Sequence, residues 1–291
     1  MKLAEWLRKG EAQLRLGPHA DRARQDAETL LLHVLDKGKA WLMAHADEVL
    51  AADQVTGYTA FLQRRFGGEP IQYITGEQEF YGLLFHVSPG VLIPRPETEL
   101  LVEKVIERAA NLAQPRIVDV GTGSGAIAVA LAHHLPHAAM TAIDVSAPAL
   151  AVAEENAARN KVMGRIRFLH GDLLAPVAAE SFDFVVSNPP YVAGADRDSL
   201  SVEVRDHEPA AALFAGDDGF AIYRRLIPAA FKVLAPGGLL ALEFGYGQSE
   251  AITGLLAAAG FQRVEVFPDL QGIPRVAFAW GPRSGSAALP I

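Results

Sequence analysis

The sequence predicts an α/β protein: a mainly parallel sheet with helices on both faces, preceded by a small helical domain and a β-hairpin linker. Three observations predict it. From about Glu97 onward, segments with helical spacing of apolar residues alternate with short, continuous apolar runs, the signature of βαβ units. Before about residue 69 the apolar residues recur at helical spacing. Between these regions, residues 70–96 mix aromatic and β-branched residues with Gly76, Gly82 and Gly90, as short strands joined by turns do.

Residues 1–69 read as a helical bundle. Leu3, Trp6, Leu7 and Leu14 fall near one face of a first helix, and Leu30, Leu31, Leu32, Val34 and Leu35 supply the apolar part of a second. Pro18 separates them, and a third helix from about Ala51 to Phe66 stops at Gly67-Gly68. Residues 70–96 are expected to be a hairpin linker, 97–281 the large α/β domain, and 282–291 a loosely held tail. Within the large domain the expected strands are 116–120, 140–144, 166–169, 182–187 and 238–244. Helices are expected at 97–112, 125–134, 148–160 and 219–234, and a closing antiparallel pair at 261–267 and 276–280.

Composition bounds the function. The chain has 291 residues, half of them hydrophobic, which matches one large domain and a smaller one. It lacks the run of about 18 apolar residues that a membrane helix needs, and charges interrupt the first residues too early for a signal peptide. There is no cysteine, hence no thiolate chemistry and no disulfide framework. A cytoplasmic enzyme with no membrane partner is the expectation. The formal net charge of −8 weighs against a direct nucleic-acid substrate, because gripping a duplex calls for basic residues that displace counterions.

The first chemical motif is the loop Asp119-Val120-Gly121-Thr122-Gly123-Ser124-Gly125-Ala126, between a strand and an apolar helix. Glycines let the backbone turn sharply and approach a ligand, and a helix N-terminus favours negative groups. Asp144, at the end of the next strand, has the position and chemistry to accept hydrogen bonds from both hydroxyls of a ribose. The loop fits Gly-x-Gly-x-Gly, common in enzymes using S-adenosylmethionine, and also the dinucleotide form Gly-x-Gly-x-x-Ala. A turn serving only packing is the bland alternative. A nucleophile elbow at Ser124 is excluded, since it needs glycine where Thr122 and Ala126 stand.

The second motif, Asn188-Pro189-Pro190-Tyr191, directly follows the strand 182–187. Two prolines stop the strand and stiffen the loop, at the strand end where open α/β sheets bind ligands. An amide or aromatic amine nitrogen is a poor nucleophile with two N–H donors. The Asn188 side-chain oxygen and a proline carbonyl can accept both hydrogens, orienting the nitrogen lone pair for in-line displacement on a methyl group. Tyr191 offers a ring to stack on the planar group.

These motifs resemble the HemK (PrmC) family of release-factor glutamine methyltransferases, over nearly the whole chain. The likeness takes in Gly68–Gly76, Phe80-Tyr81-Gly82, Ile93–Glu99, the glycine loop, Asp144, Asn188–Tyr191, Glu208-Pro209, Asp217, Pro236-Gly237-Gly238 with Glu243, Asp269-Leu270 and Arg275-Val276. The resemblance implies a Rossmann-like, S-adenosylmethionine-dependent methyltransferase sheet and an N-terminal domain that binds the release factor. It implies methylation of the side-chain nitrogen of a glutamine in a Gly-Gly-Gln tripeptide of class I peptide chain release factors, with S-adenosylhomocysteine as product. Gly121, Thr122, Gly123, Ser124 and Gly125 would line the methionine part of the cofactor, Asp144 would bind ribose, and Asp172 and Leu173 would border adenine. Asn188, Pro189, Pro190 and Tyr191 would hold the glutamine amide, with Asn188 also on the cofactor side. Leu173 departs from relatives that carry an aromatic residue there. A sister branch that methylates a ribosomal protein reads Arg-Ser-Pro where this chain has Arg95-Pro96-Glu97, which favours the release-factor branch.

Other readings compete. Asn-Pro-Pro-Tyr also serves adenine-N6 methyltransferases, which must extrude a base and bind phosphates. A nicotinamide dehydrogenase would use the glycine loop and leave Asn188–Tyr191 without a role; a binding module would hold cofactor without turnover. His133, His134 and His137 match no zinc spacing, so no metal is expected. Glu154 and Glu155 read as solvated helix charges and Arg64-Arg65 as an exposed helix end. Glu203 and Glu208 are candidates for shaping a substrate channel.

Overall fold

The computed structural model describes residues 1–281; the expected tail, 282–291, lies outside the described residues. Two compact units emerge: Met1–Glu77 with Ser199–Glu208, and Gln78–Asp198 with the chain from Pro209 onward. The first therefore extends past residue 69, the limit drawn from sequence, and takes back a later segment.

The first unit contains α1 (Leu3–Leu14), α2 (Ala23–Leu35), α3 (Lys39–Ala44), α4 (Ala52–Phe66) and α5 (Ile71–Thr75). At the start of α1 the Lys2 N–H donates to Glu5 at 2.9 Å, satisfying a backbone donor that the helix itself leaves free. Leu3, Leu7, Leu30, Leu31, Tyr58 and Leu62 are buried together. Gly10 is glycine for a packing reason: a Cβ there would come within 2.2 Å of the Tyr58 hydroxyl, which donates to the Ala27 carbonyl at 3.1 Å.

Two local readings are corrected here. Residues 71–75, expected as strand from the apolar Ile71 and Tyr73, form α5. Pro70 fixes the entry with φ −54°, Gly76 ends the turn at φ 75°, and Ile71 and Ile74, one turn apart, both reach the core. Arg65, expected on an exposed helix end, is only 1% exposed. It continues the buried face of Tyr58 and Leu62, since positions four and three apart share one side of a helix. Its Nε donates to Asp26 at 2.6 Å, one terminal nitrogen donates to the Glu69 carbonyl at 2.9 Å, and it also binds Glu203. Arg64 is exposed and pairs with Glu69.

The second unit opens with a hairpin, β1 (Glu77–Phe80) and β2 (Leu83–His86), turned by Tyr81 and Gly82 at φ 51° and 75°, the paired left-handed geometry that suits the strand twist. Then come α6 (Thr98–Ala109), β3 (Arg116–Val120), α7 (Ala126–His134), β4 (Ala139–Asp144), α8 (Ala147–Arg159), β5 (Ile166–His170) and β6 (Phe182–Ser187). After α9 (Val202–His207), which belongs to the first unit, follow α10 (Ala210–Leu213), α11 (Ala221–Val233), β7 (Leu234–Glu243), α12 (Ser249–Ala258), β8 (Arg263–Pro268) and β9 (Pro274–Trp280). The sequence reading assigned no helix over Ser249–Ala258; α12 buries Ile252 and Leu256, one turn apart.

The seven strands lie in the order β5-β4-β3-β6-β7-β9-β8, all running one way except β9, which is antiparallel to both of its neighbours, β7 and β8. Both faces are covered. Ile117, Val186 and Leu239 pack with residues of α6 and α7, while Val118, Val185 and Leu240 pack with residues of α11 and α12. Burial on both sides is why these strands read as unbroken apolar runs. The chain winds outward from β3 through β4 and β5, then restarts at β6 beside β3, with Val118 opposite Val185 and Asp119 opposite Val186. That reversal leaves a crevice at the carboxyl ends of β3 and β6, where the glycine loop and Asn188 both emerge.

Asp119 ends up fully buried. Its carboxyl group accepts from the Thr122 hydroxyl at 2.6 Å and faces the Ala128 N–H in the first turn of α7, which offsets part of the cost of burial. Desolvation outweighs these bonds, and with the nearby Asp144 charge it pushes the carboxyl up to about 7.

Two expectations follow from these buried charges. Arg65→Ala strands Asp26 in the helical core and should cost about 3–5 kcal/mol of unfolding free energy, whereas Arg64→Ala, at an exposed pair, should cost no more than about 1 kcal/mol; urea denaturation compares them. The folded state keeps the Asp119 proton to higher pH than the unfolded chain, so this group's stabilisation is full below its unfolded pKa and is lost as pH rises through about 7. Asp119→Asn should gain on the wild type between about pH 4 and about pH 8 by on the order of a few kcal/mol, at about 1.4 kcal/mol per pH unit. A constant difference between the two proteins across that range would refute this account.

Candidate active site

The glycine loop is pinned to the neighbouring strand. The N–H groups of Gly121 and Thr122 both donate to the Ile143 carbonyl, at 2.8 and 3.0 Å, and Gly125 N–H closes the turn on Thr122 at 2.8 Å. Gly121, Gly123 and Gly125 have φ of 73°, 56° and 81°, values that favour glycine. A Cβ at Gly121 or Gly123 would meet nothing within 4 Å, while one at Gly125 would meet Ala153 of α8 at 3.0 Å. The first two thus open the backbone toward free space, and the third lets a helix pack closely.

Asp144 braces this loop. Its carboxylate accepts from Gly123 N–H and Ser146 N–H, each at 2.8 Å. Each oxygen retains further acceptor capacity, so the group can hold the loop and still receive ligand hydroxyls. Four of the loop's amides, those of Gly121, Thr122, Gly123 and Gly125, are committed to the protein itself, and the Asp119 carboxyl group lies at the start of α7. The free helix terminus expected from the sequence is therefore already partly satisfied.

A cleft of about 200 Å³ lies over these strand ends. Gly121, Gly123, Asp144, Asp172, Leu173, Asn188, Pro189 and Pro190 line it. Val91 and Leu92 from the segment after β2, and Ser146, Ser187 and Ile222, join them. A second, smaller cavity adjoins the first along Gly121, Gly123, Leu92 and Asn188, and includes Thr122, Ser124, Thr98 and Arg95. Asn188 thus borders both spaces.

The remaining sequence candidates fall as follows. Gly125 serves helix packing and lines neither cavity. Tyr191 is also outside both linings; its ring packs on Gly245, its carbonyl accepts from Gln248 at 3.0 Å, and burial pushes its hydroxyl up to about 12. Asp172 pairs with Arg225, and Leu173 adopts a left-handed φ of 51°. Glu203 binds Arg65 inside the helical unit. His133 and His134 are exposed at the end of α7, and among the described residues no group of three potential ligands could hold a metal. Nor is any described helix long and apolar enough to cross a membrane.

Sequence reasoning assigned no role to Thr98, whose hydroxyl oxygen accepts from Asn188 Nδ2 at 3.0 Å. With a hydrogen of the amide engaged there, the side-chain carbonyl of Asn188 remains as its acceptor. Sequence spacing gave no signal for a contact across 90 positions.

Comparison with known proteins agrees with this architecture. The model of the methyltransferase small domain matches residues 96–206, and that of the PrmC N-terminal domain matches residues 5–76. A release factor glutamine methyltransferase of Koribacter versatilis is 43% identical over 262 residues, covering 90% of this chain and 92% of the relative. One of Moorella thermoacetica is 44% identical over 273 residues, covering 93% and 96%. Among solved structures, the hMettl16 catalytic domain in complex with the MAT2A 3'UTR hairpin 1 aligns with a TM-score of 0.58 at 17% identity, over 90% of this chain and 93% of that one, a likeness of fold. With these identities over nearly the full length of both relatives, the chain belongs to the family of release factor glutamine methyltransferases.

Proposed function

We propose that this protein transfers a methyl group from S-adenosylmethionine to the side-chain nitrogen, N5, of the glutamine in the Gly-Gly-Gln motif of class I peptide chain release factors. The observation that carries the reading is the position of Asn188, between two adjoining cavities, with Nδ2 bound to Thr98.

The larger cleft suits the cofactor. Its floor is open at Gly121 and Gly123, where a side chain would project into free space, and Asp144 stands at one end with acceptor capacity for ribose hydroxyls. Leu173 offers an apolar contact to an adenine ring, and Asp172, although paired with Arg225, lies on the same wall. When bound, S-adenosylmethionine supplies a methyl group on a sulfonium leaving group and is released as S-adenosylhomocysteine.

The chain's own residues then solve the problem of a weak nucleophile. A glutamine amide presents two N–H donors. Asn188 Oδ1 takes one and the Pro189 carbonyl the other, which fixes the amide plane and favours positive charge on nitrogen as the new bond forms. The prolines hold both acceptors on a stiff loop. Tyr191, packed on Gly245, acts in this reading as a support for that loop. The helical unit, matched by the PrmC N-terminal model, contributes release-factor binding. Because release factors act with ribosomes, the same reading sets the enzyme in the cytoplasm, with no nucleic-acid substrate of its own.

Methyl-labelled S-adenosylmethionine should label a purified release factor, not a variant with alanine in place of the Gly-Gly-Gln glutamine, and not DNA. Label on DNA would instead make the protein an adenine methyltransferase. Asn188→Ala should lower kcat by about 10²–10³ while S-adenosylhomocysteine affinity, read by calorimetry, changes little. Asp144→Ala should do the opposite to binding, weakening it by about tenfold or more, roughly 1.4 kcal/mol. An active Asn188→Ala enzyme would remove the mechanism.

A further inference from the structure

Glu243 is the last residue of β7, and only 2% of it is exposed. It lies in the family resemblance without a role in binding or transfer. Thr98, 5% exposed, hydrogen-bonds to this carboxylate, with a smaller contribution from Asn188. Asn188 Nδ2 in turn donates to the Thr98 hydroxyl oxygen at 3.0 Å. A hydroxyl that accepts from Asn188 has its own hydrogen free to donate onward, and an ionised carboxylate can only accept. The direction of the chain is therefore set from its end: Glu243 accepts from Thr98, and Thr98 accepts from Asn188.

This matters because an asparagine side chain has two nearly isosteric ends. With its carbonyl toward the substrate it accepts an amide hydrogen; turned over, it would place N–H against N–H. We infer that Glu243 is a positioning residue, which acts through Thr98 to keep the carbonyl end of Asn188 facing the substrate amide. The inference rests on the reading of Asn188 given above.

Burial pushes the Glu243 carboxyl up to about 7, opposed by the bond from Thr98; Glu97 raises it further, and Arg275 and Asn188 lower it. The other titratable groups it faces are the hydroxyls of Tyr191 and Tyr223, both raised by burial and neutral through this range. Protonation gives Glu243 a donor, so the chain can run in reverse, with Thr98 donating to a turned-over Asn188. The active form is thus the ionised one, and activity should rise with pH through about 7.

The test measures kcat, KM for release factor, S-adenosylhomocysteine affinity and melting temperature for Glu243→Ala, Glu243→Gln, Thr98→Val and Asn188→Ala. Glu243→Ala and Thr98→Val should lower kcat by about tenfold or more, with KM and cofactor affinity within about threefold of wild type. Glu243→Gln keeps an acceptor but not the charge. Its kcat should fall between those of wild type and Glu243→Ala, and the acid limb of the wild-type pH profile should vanish. If Glu243→Ala and Thr98→Val turn over like wild type while Asn188→Ala is inactive, the positioning role is wrong and the Asn188 reading survives. If Asn188→Ala is active, the Asn188 reading fails and this inference with it. Parallel loss of kcat, cofactor affinity and melting temperature in Glu243→Ala, with Glu243→Gln no better and its acid limb intact, would reduce Glu243 to a structural brace and overturn the proposal.

Discussion

The site depends on one seam, between the turn after β3 and the end of β4. The Ile143 carbonyl takes two N–H groups of the glycine loop, and the next residue, Asp144, takes a third and the N–H of Ser146. These four bonds tie the loop, α7 and the start of α8 to one strand end. Gly121, Gly123 and Gly125 make the turn, because their left-handed backbones are available without strain only to glycine. Without this seam the Asp144 carboxylate and the open floor of the cleft would not face each other, and the order of β3 beside β6 would bring Asn188 to an unformed pocket.

The same region carries a cost that the rest of the sheet must offset. Asp119 and Glu243 stand at or near the carboxyl ends of central strands, both almost wholly removed from water, and each leaves one carboxylate oxygen without a partner among the described residues. A buried acid of this kind destabilises the fold when ionised. Both faces of the sheet are covered by apolar helices, and that burial is the favourable term large enough to hold the two acids in place. Asp119 meets the glycine loop through Thr122 and Glu243 meets Asn188 through Thr98, so each acts on the site through a neighbour.

Much of this was legible in the sequence because the local signals are periodic. Parallel strands buried on both faces read as apolar runs such as Phe182–Ser187, and the loops that follow β3 and β6 could be placed at the sheet's carboxyl edge from strand order alone. The failures have specific physical causes. Ile71 and Tyr73 alternate like a strand, but Pro70 and Gly76 at the ends decided for a helix. Arg65 looked solvent-facing because arginine usually is; Asp26 lies 39 positions away and Glu203 138 away, and nothing local announces such partners. Thr98 and Glu243 were visible as matched residues and invisible as a chain, since hydrogen-bond direction is a property of the assembled site.

Substrate choice cannot come from the cofactor sheet. A glutamine amide and an adenine amine pose the same chemical problem, a planar nitrogen with two hydrogens, and under the function proposed above the acceptors of Asn188 and Pro189 would answer both. Fold does not distinguish them either: a domain solved with an RNA hairpin shares this architecture at 17% identity, which is likeness of scaffold and not of substrate. What differs is the surface around the shared chemistry. An enzyme for a duplex or hairpin must compensate phosphates over many contacts, and this chain carries a net charge of −8. Arg65, expected on an exposed helix end, is engaged internally by Asp26 and Glu203, while Arg64 is held by Glu69. Both arginines of this pair are therefore engaged by carboxylates of the protein itself.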